Sequence, residues 1–286
     1  MTNDERRDYW RRYARENAKY ERNGVVHFRR AIAETLKPVI ELASQQGAAA
    51  ALASVDVLIS RPFIEQAFIE FYYYVGTAHK AWCQAQFNKR KKKDRGLPPI
   101  DLKPVAAASA DAGFGAGFFN PAWLQRLKNL VYGLDVASRV TSIANTLKKK
   151  LRAVLGRAVK EEVRPSAMAR RIQNEMGGKF SEARARLIAR TESTYVANVA
   201  AKQQAIETGL KLVKVWIDTR DSRVRDTHWK NPDPIGFSDK FKVGDALMDH
   251  PGDPAGGAKE CCNCRCCVAY LPADDHEDIF PKEPIF

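Results

Sequence analysis

IDTRDSRVRDTH, residues 217–228, begins a stretch that passes through HPGDP at 250–254 and ends in ECCNCRCCVAYL at 260–271. Five of the six cysteines fall in it (Cys261, Cys262, Cys264, Cys266 and Cys267), together with His228, His250 and a run of aspartates. Just upstream, Val213, Val215 and Ile217 alternate with Lys214 and Trp216, the period of a strand, and Cys267 to Leu271 reads as a second, closing strand. Proline, glycine and aspartate supply the turns between them. Before the first strand lies LIARTESTYVANVAAKQQAIETG, residues 187–209, a helix that Gly209 terminates. The fold class expected is therefore α+β: a mostly helical N-terminal half, then a module in which one long helix packs on a small antiparallel sheet.

Working outward, residues 3–22 mix both charge signs with Trp10, Tyr13 and Tyr20, which predicts a surface helix or arm. Residues 25–46 have helical spacing, and Pro38 is expected to kink or divide them. Gly47 breaks the helix, Pro62 suits the first turn of the next, and its aromatic face, residues 63–75, reads as core. Asn120 and Pro121 start another helix, leading into a long amphipathic one through Val136, Val140, Ile143, Leu147, Leu151 and Val154. Ser166 is expected to cap a short helix and Ser181 a longer one. The resulting division is a helical, basic region at 1–104, a flexible connection at 105–119, the amphipathic segment at 120–165, the α+β module at 166–271 and an acidic extended tail at 272–286.

The 286 residues carry a formal net charge of +13, which draws acidic partners. The contact candidates for a polyanion are Lys89, Arg90, Lys91, Lys92 and Lys93 in the block NKRKKKDR, and Lys148, Lys149, Lys150 and Arg152 on the polar face of the amphipathic helix. Contacts of that kind read phosphate, not base sequence. The charged first residues lack the apolar segment of a secretory signal, so synthesis in a cytoplasm is expected. No stretch reaches the roughly 20 apolar residues of a membrane span.

In a reducing compartment, clustered cysteines read as metal ligands or free thiols. Zinc takes four nitrogen or sulfur ligands, and Cys264, Cys266 and His228 with either His250 or Cys261 would supply them. A metal-dependent hydrolase, or a transferase using Arg190 and Glu192, is the enzymatic alternative. It lacks an HExxH helix, a Gly-rich phosphate loop or a nucleophile elbow, and no small-molecule substrate is expected. The preferred reading is structural: Asp221, Arg223 and Arg225 form a charged network that pins their loop to the Cys-Arg-Cys strand through Arg265, and Asp253 accepts backbone hydrogen bonds in its turn.

Four pieces in order, ARLIARTE at 185–192, DTRDSRVRDTH at 218–228, GDALMDHPGDP at 244–254 and NCRC at 263–266, resemble the Mu F-like minor head proteins of tailed bacteriophages, over roughly 166–271. The resemblance implies a minor structural protein of the phage head, located in the virion and associated with portal and capsid subunits. It implies a part in head assembly or in packaging and delivery of double-stranded DNA, and no established enzymatic step.

Overall fold

A computed structural model describes residues 1–94, 121–229 and 233–273. The first helix, α1 (Asn3–Gln46), is 44 residues long and runs unbroken through Pro38, which corrects the expected division. Proline removes one backbone donor, but Leu36, Val39 and Ala43 around it are all buried, and their packing outweighs the lost hydrogen bond. Residues 3–22 form the expected surface helix, with one face exposed and Tyr9, Tyr13 and Tyr20 buried on the other.

Gly47, at φ +89°, ends α1, and α2 (Ala48–Leu58) and α3 (Pro62–Asp94) follow. The basic block thus begins as the end of α3. Helix α4 (Pro121–Tyr132) starts at the expected proline, and α5 (Leu134–Lys160) is the amphipathic helix. In α6 (Pro165–Met176) the cap position belongs to Arg164 and Pro165 takes the first turn, so Ser166 lies inside the helix and caps nothing. Ser181 is likewise interior to α7 (Gly178–Glu207), which begins at Gly178, held at φ +52°.

The strands are β1 (Leu212–Ile217), β2 (Ile235–Gly236), β3 (Phe241–Val243), β4 (Ala246–Met248) and β5 (Cys267–Pro272), with the single turn α8 (Asp226–Trp229) after β1 and the short α9 (Gly257–Cys261) before β5. One sheet has the order β2-β1-β5, all antiparallel, with Trp216 opposite Val268 and Ile217 opposite Cys267; β3 and β4 form a hairpin. The α+β class expected from the sequence is what the chain adopts.

The described residues form two compact units that are discontinuous in sequence, with α1, α3 and α7 supplying residues to both. Residues 21–73 and 121–189 make a helical unit. In it Phe28 meets Phe68 and Phe71 edge-on at 5.2 and 5.3 Å. Gly24 allows this closeness, since a Cβ there would fall 2.7 Å from the Phe71 ring and 2.8 Å from the Ala189 Cβ. In the same unit Lys148 and Arg152 of α5 reach Asp56 of α2.

The other unit, residues 1–20, 74–94, 190–229 and 233–273 of those described, holds the sheet and the module's end. Every residue of β1 is buried, including Lys214, so the strand has no solvent face despite its alternating pattern. Residues 191–198 of α7 are buried without interruption, as expected of an interior helix. The start of α1 joins them: Trp10 Nε1 donates to the Arg265 carbonyl at 3.2 Å and Tyr9 Oη to that of Val268 at 3.4 Å.

Candidate functional site

Three buried polar residues of α7, Thr191, Thr194 and Asn198, recur at helical spacing, and each holds backbone of the module's end. Thr191 Oγ1 accepts from the Asn263 amide at 3.2 Å, and Thr194 Oγ1 donates to the Cys264 carbonyl at 2.8 Å. Asn198 Nδ2 donates to the Pro251 carbonyl at 3.1 Å, while its Oδ1 accepts from the Val268 amide at 2.8 Å. The interior helix thereby fixes both the HPGDP turn and the cysteine segment. Sequence reading missed this stripe; its signal was three hydrogen-bonding side chains at i, i+3 and i+7 on one face of the helix. Replacing Asn198 by Ala would orphan the Val268 N–H in the interior and leave the Pro251 carbonyl only the His250 ring, a loss of about 1–3 kcal/mol. Equilibrium unfolding in denaturant measures it, and a loss near zero would show that water reaches those groups.

Asn263, at φ +57°, turns the chain between α9 and the Cys-Arg-Cys run, a left-handed conformation that asparagine tolerates. Cys264 and Cys266, both about 1% exposed, then direct their thiols at His228. Cys264 Sγ lies 3.6 Å and Cys266 Sγ 3.4 Å from His228 Nδ1. The other ring nitrogen, Nε2, is 3.1 Å from Glu260 Oε2, a carboxylate that also accepts from Thr227 Oγ1 at 2.9 Å. Trp216 closes the site edge-on to the imidazole, ring centroids 5.3 Å apart. The Cys266 thiol and the imidazole hold Cys264 well below the ordinary thiol range, and the same hydrogen bond to Cys264, together with burial, pushes Cys266 well above it.

His250 is not part of this group. It lies against Tyr195, its Nδ1 faces the Pro251 carbonyl at 3.1 Å, and burial lowers its pKa. Cys261 donates its thiol to the Asp253 carbonyl at 3.0 Å. Glu260, absent from the residues singled out in the sequence, is the group's fourth polar member.

The charged residues act as fasteners. Arg265 grips Asp221 with both guanidinium nitrogens at 2.6 and 2.8 Å, and this pairing holds the Asp221 carboxyl well below the usual range. The Arg223 amide donates to the same carboxylate at 3.0 Å, and Arg225 donates to the Cys262 carbonyl at 2.5 Å. Asp253 accepts from the amides of Asp249 at 2.6 Å and Ala255 at 3.0 Å. Glu192 is buried in the middle of α7, and the Arg190 carbonyl accepts from Ser193 Oγ at 3.2 Å.

Of the polyanion candidates, Lys148 and Arg152 are engaged with Asp56, and Lys150 lies over the Phe180 ring at 5.9 Å. Lys149 is exposed and lines a shallow polar groove with Ser138, Ser142 and Asn145. Among the described residues no helix is long and apolar enough to cross a membrane.

Residues 149–269 match the family model described as Phage Mu protein F like protein, which covers most of the 166–271 stretch that carried the resemblance in the sequence. No curated protein and no solved structure matches the chain.

Proposed function

Given that residues 149–269 are a Mu F-like region, we propose that the protein is a minor structural component of a tailed-phage head, acting in head assembly or in the packaging and delivery of DNA. The family match is the observation that carries this reading. The buried polar groups support a fastening role: Thr191, Thr194, Asn198, Arg225 and Arg265 all hold backbone or a paired carboxylate in place. A hydrolase built on His228 would need substrate and water to reach it, and that ring is about 1% exposed. The partners in this reading are portal and capsid subunits and double-stranded DNA, the last through phosphate contacts made by a surface carrying a net +13.

Two measurements test it. Mass spectrometry of purified proheads and mature particles should find the protein in at least one of them; absence from both would sink the head reading. Duplex DNA of unrelated sequences should bind with equal affinity, falling at least about ten-fold between 50 and 200 mM salt as counterion release requires. Binding indifferent to salt would rule out phosphate contacts while leaving the head reading to the particle analysis.

A further inference from the structure

We propose that His228 Nδ1, Cys264 Sγ and Cys266 Sγ form the binding site of one thiophilic divalent cation of the zinc class, with Glu260 as the carboxylate that orients the histidine. The inference stands apart from the head-protein reading, since it rests on donor geometry alone.

The spacing is the first argument. Zinc sits about 2.0–2.1 Å from an imidazole nitrogen and about 2.3 Å from a thiolate, so a nitrogen and a sulfur at two corners of its tetrahedron are separated by about 3.5 Å. The two sulfur–nitrogen distances here are 3.4 and 3.6 Å, and all three donor atoms lie within 4.8 Å of one another. Three corners of a tetrahedron are therefore in place, with no fourth side chain assigned among the described residues.

The second argument is the carboxylate behind the imidazole. A carboxylate oxygen of Glu260 accepts from Nε2, which leaves Nδ1 as the ring nitrogen that faces both sulfurs. A single nitrogen faces two sulfurs there, and one cation among the three uses them together. A carboxylate behind the histidine is the arrangement that fixes tautomer and ring orientation at zinc sites. Thr227 holds that carboxylate in turn.

The third argument is rigidity. Cys264 is pinned through its carbonyl by Thr194, its amide donates to the Cys261 carbonyl at 3.2 Å, and Cys266 immediately precedes β5. His228 is wedged against Trp216. Two soft sulfurs and an imidazole select zinc-like ions over magnesium or calcium, which prefer oxygen. The ion would join α8 to the entry of β5, two segments 36 residues apart in the chain.

The test uses the full chain, purified under reducing conditions from zinc-supplemented culture, with metal content measured per chain. About one equivalent is expected in the wild type, with none in Cys264→Ser or Cys266→Ser, and a full equivalent retained in Cys262→Ser and His250→Gln. Glu260→Gln should keep the ion but yield it to a chromophoric chelator about 10–100-fold more readily. Because the cysteine variants could fail to fold, the wild type is also loaded with Co2+, whose spectrum should show tetrahedral ligand-field bands and thiolate charge transfer. An octahedral Co2+ spectrum, a metal-free wild type, or loss of the ion in His250→Gln would each overturn the proposal.

Discussion

Replacing Asp249 by Ala should destabilise the sheet-bearing unit by about 3–5 kcal/mol, because it leaves a buried ammonium without its counter-charge. Lys214 is fully buried in the middle strand β1, and its Nζ donates to the Asp249 carbonyl at 2.9 Å and to the Asp249 carboxylate. Phe241 adds its ring face, with Nζ 5.4 Å from the centroid. Burial pushes the Lys214 pKa down while Asp249 opposes that shift. Without the carboxylate the folded pKa falls further below the unfolded value of about 10.4, and the unfolded chain then binds more protons than the folded one. The variant should therefore regain stability as pH rises toward about 10, the opposite of what a simple packing defect would do. Lys214→Met added to Asp249→Ala should restore most of the loss, since an apolar side chain of similar length needs no partner, and Lys202, which also loses Asp249, is partly exposed and can turn to water. Denaturant unfolding of the two single variants and the double variant closes the cycle. A double variant no better than Asp249→Ala alone would mean that the buried charge is not what Asp249 compensates.

Acid should remove stability through His79, by an amount on the order of 4 kcal/mol between pH 6.5 and 3. The ring is about 1% exposed, stacks on Trp82 at 5.0 Å and meets Tyr13 and Tyr20 edge-on, and its Nδ1 has no hydrogen-bond partner among the described residues. Burial among these aromatic rings lowers its pKa from 6.5 to about 3. The folded pKa lies below the unfolded one, so the contribution is fully present above pH 6.5. As pH falls below that, the unfolded chain takes a proton that the folded chain refuses, and stability drops by up to about 1.4 kcal/mol per pH unit until the folded ring titrates as well. His79→Phe keeps an aromatic ring and removes the titration. Its unfolding free energy, measured from pH 7 to pH 4, should fall less steeply than that of the wild type by up to one proton. Parallel curves would assign the acid sensitivity to other groups, His250 first among them, since burial lowers its pKa too.

Sequence patterns with local causes were legible. The two-residue period of β1, the closing strand β5, the helix starts at Pro62 and Pro121 and the break at Gly47 each follow from the preferences of a few neighbouring residues. The α+β class followed from their order. Local reasoning failed where packing overrode a local preference. Pro38 did not divide α1, and Ser166 and Ser181 ended inside helices whose first turns were set by Pro165 and Gly178. Lys214 belongs to the alternating pattern of β1 and is a buried charge, because both faces of the strand are covered, which the pattern alone does not tell.

At the candidate site the sequence by itself determined the chemistry on offer: thiols, imidazoles, carboxylates and guanidinium groups crowded between residues 217 and 271, in an order that matches the Mu F-like family. Only the tertiary structure decided which of them meet. His228 joins Cys264 and Cys266 while His250, equally plausible by residue type, turns to Tyr195 and the Pro251 carbonyl; Glu260 enters unannounced behind the imidazole. Residue type fixes what a side chain can bind. Whether two side chains 36 residues apart come within 4 Å depends on the backbone between them, here held by the buried threonines and asparagine of α7, and no periodicity along the chain encodes that meeting.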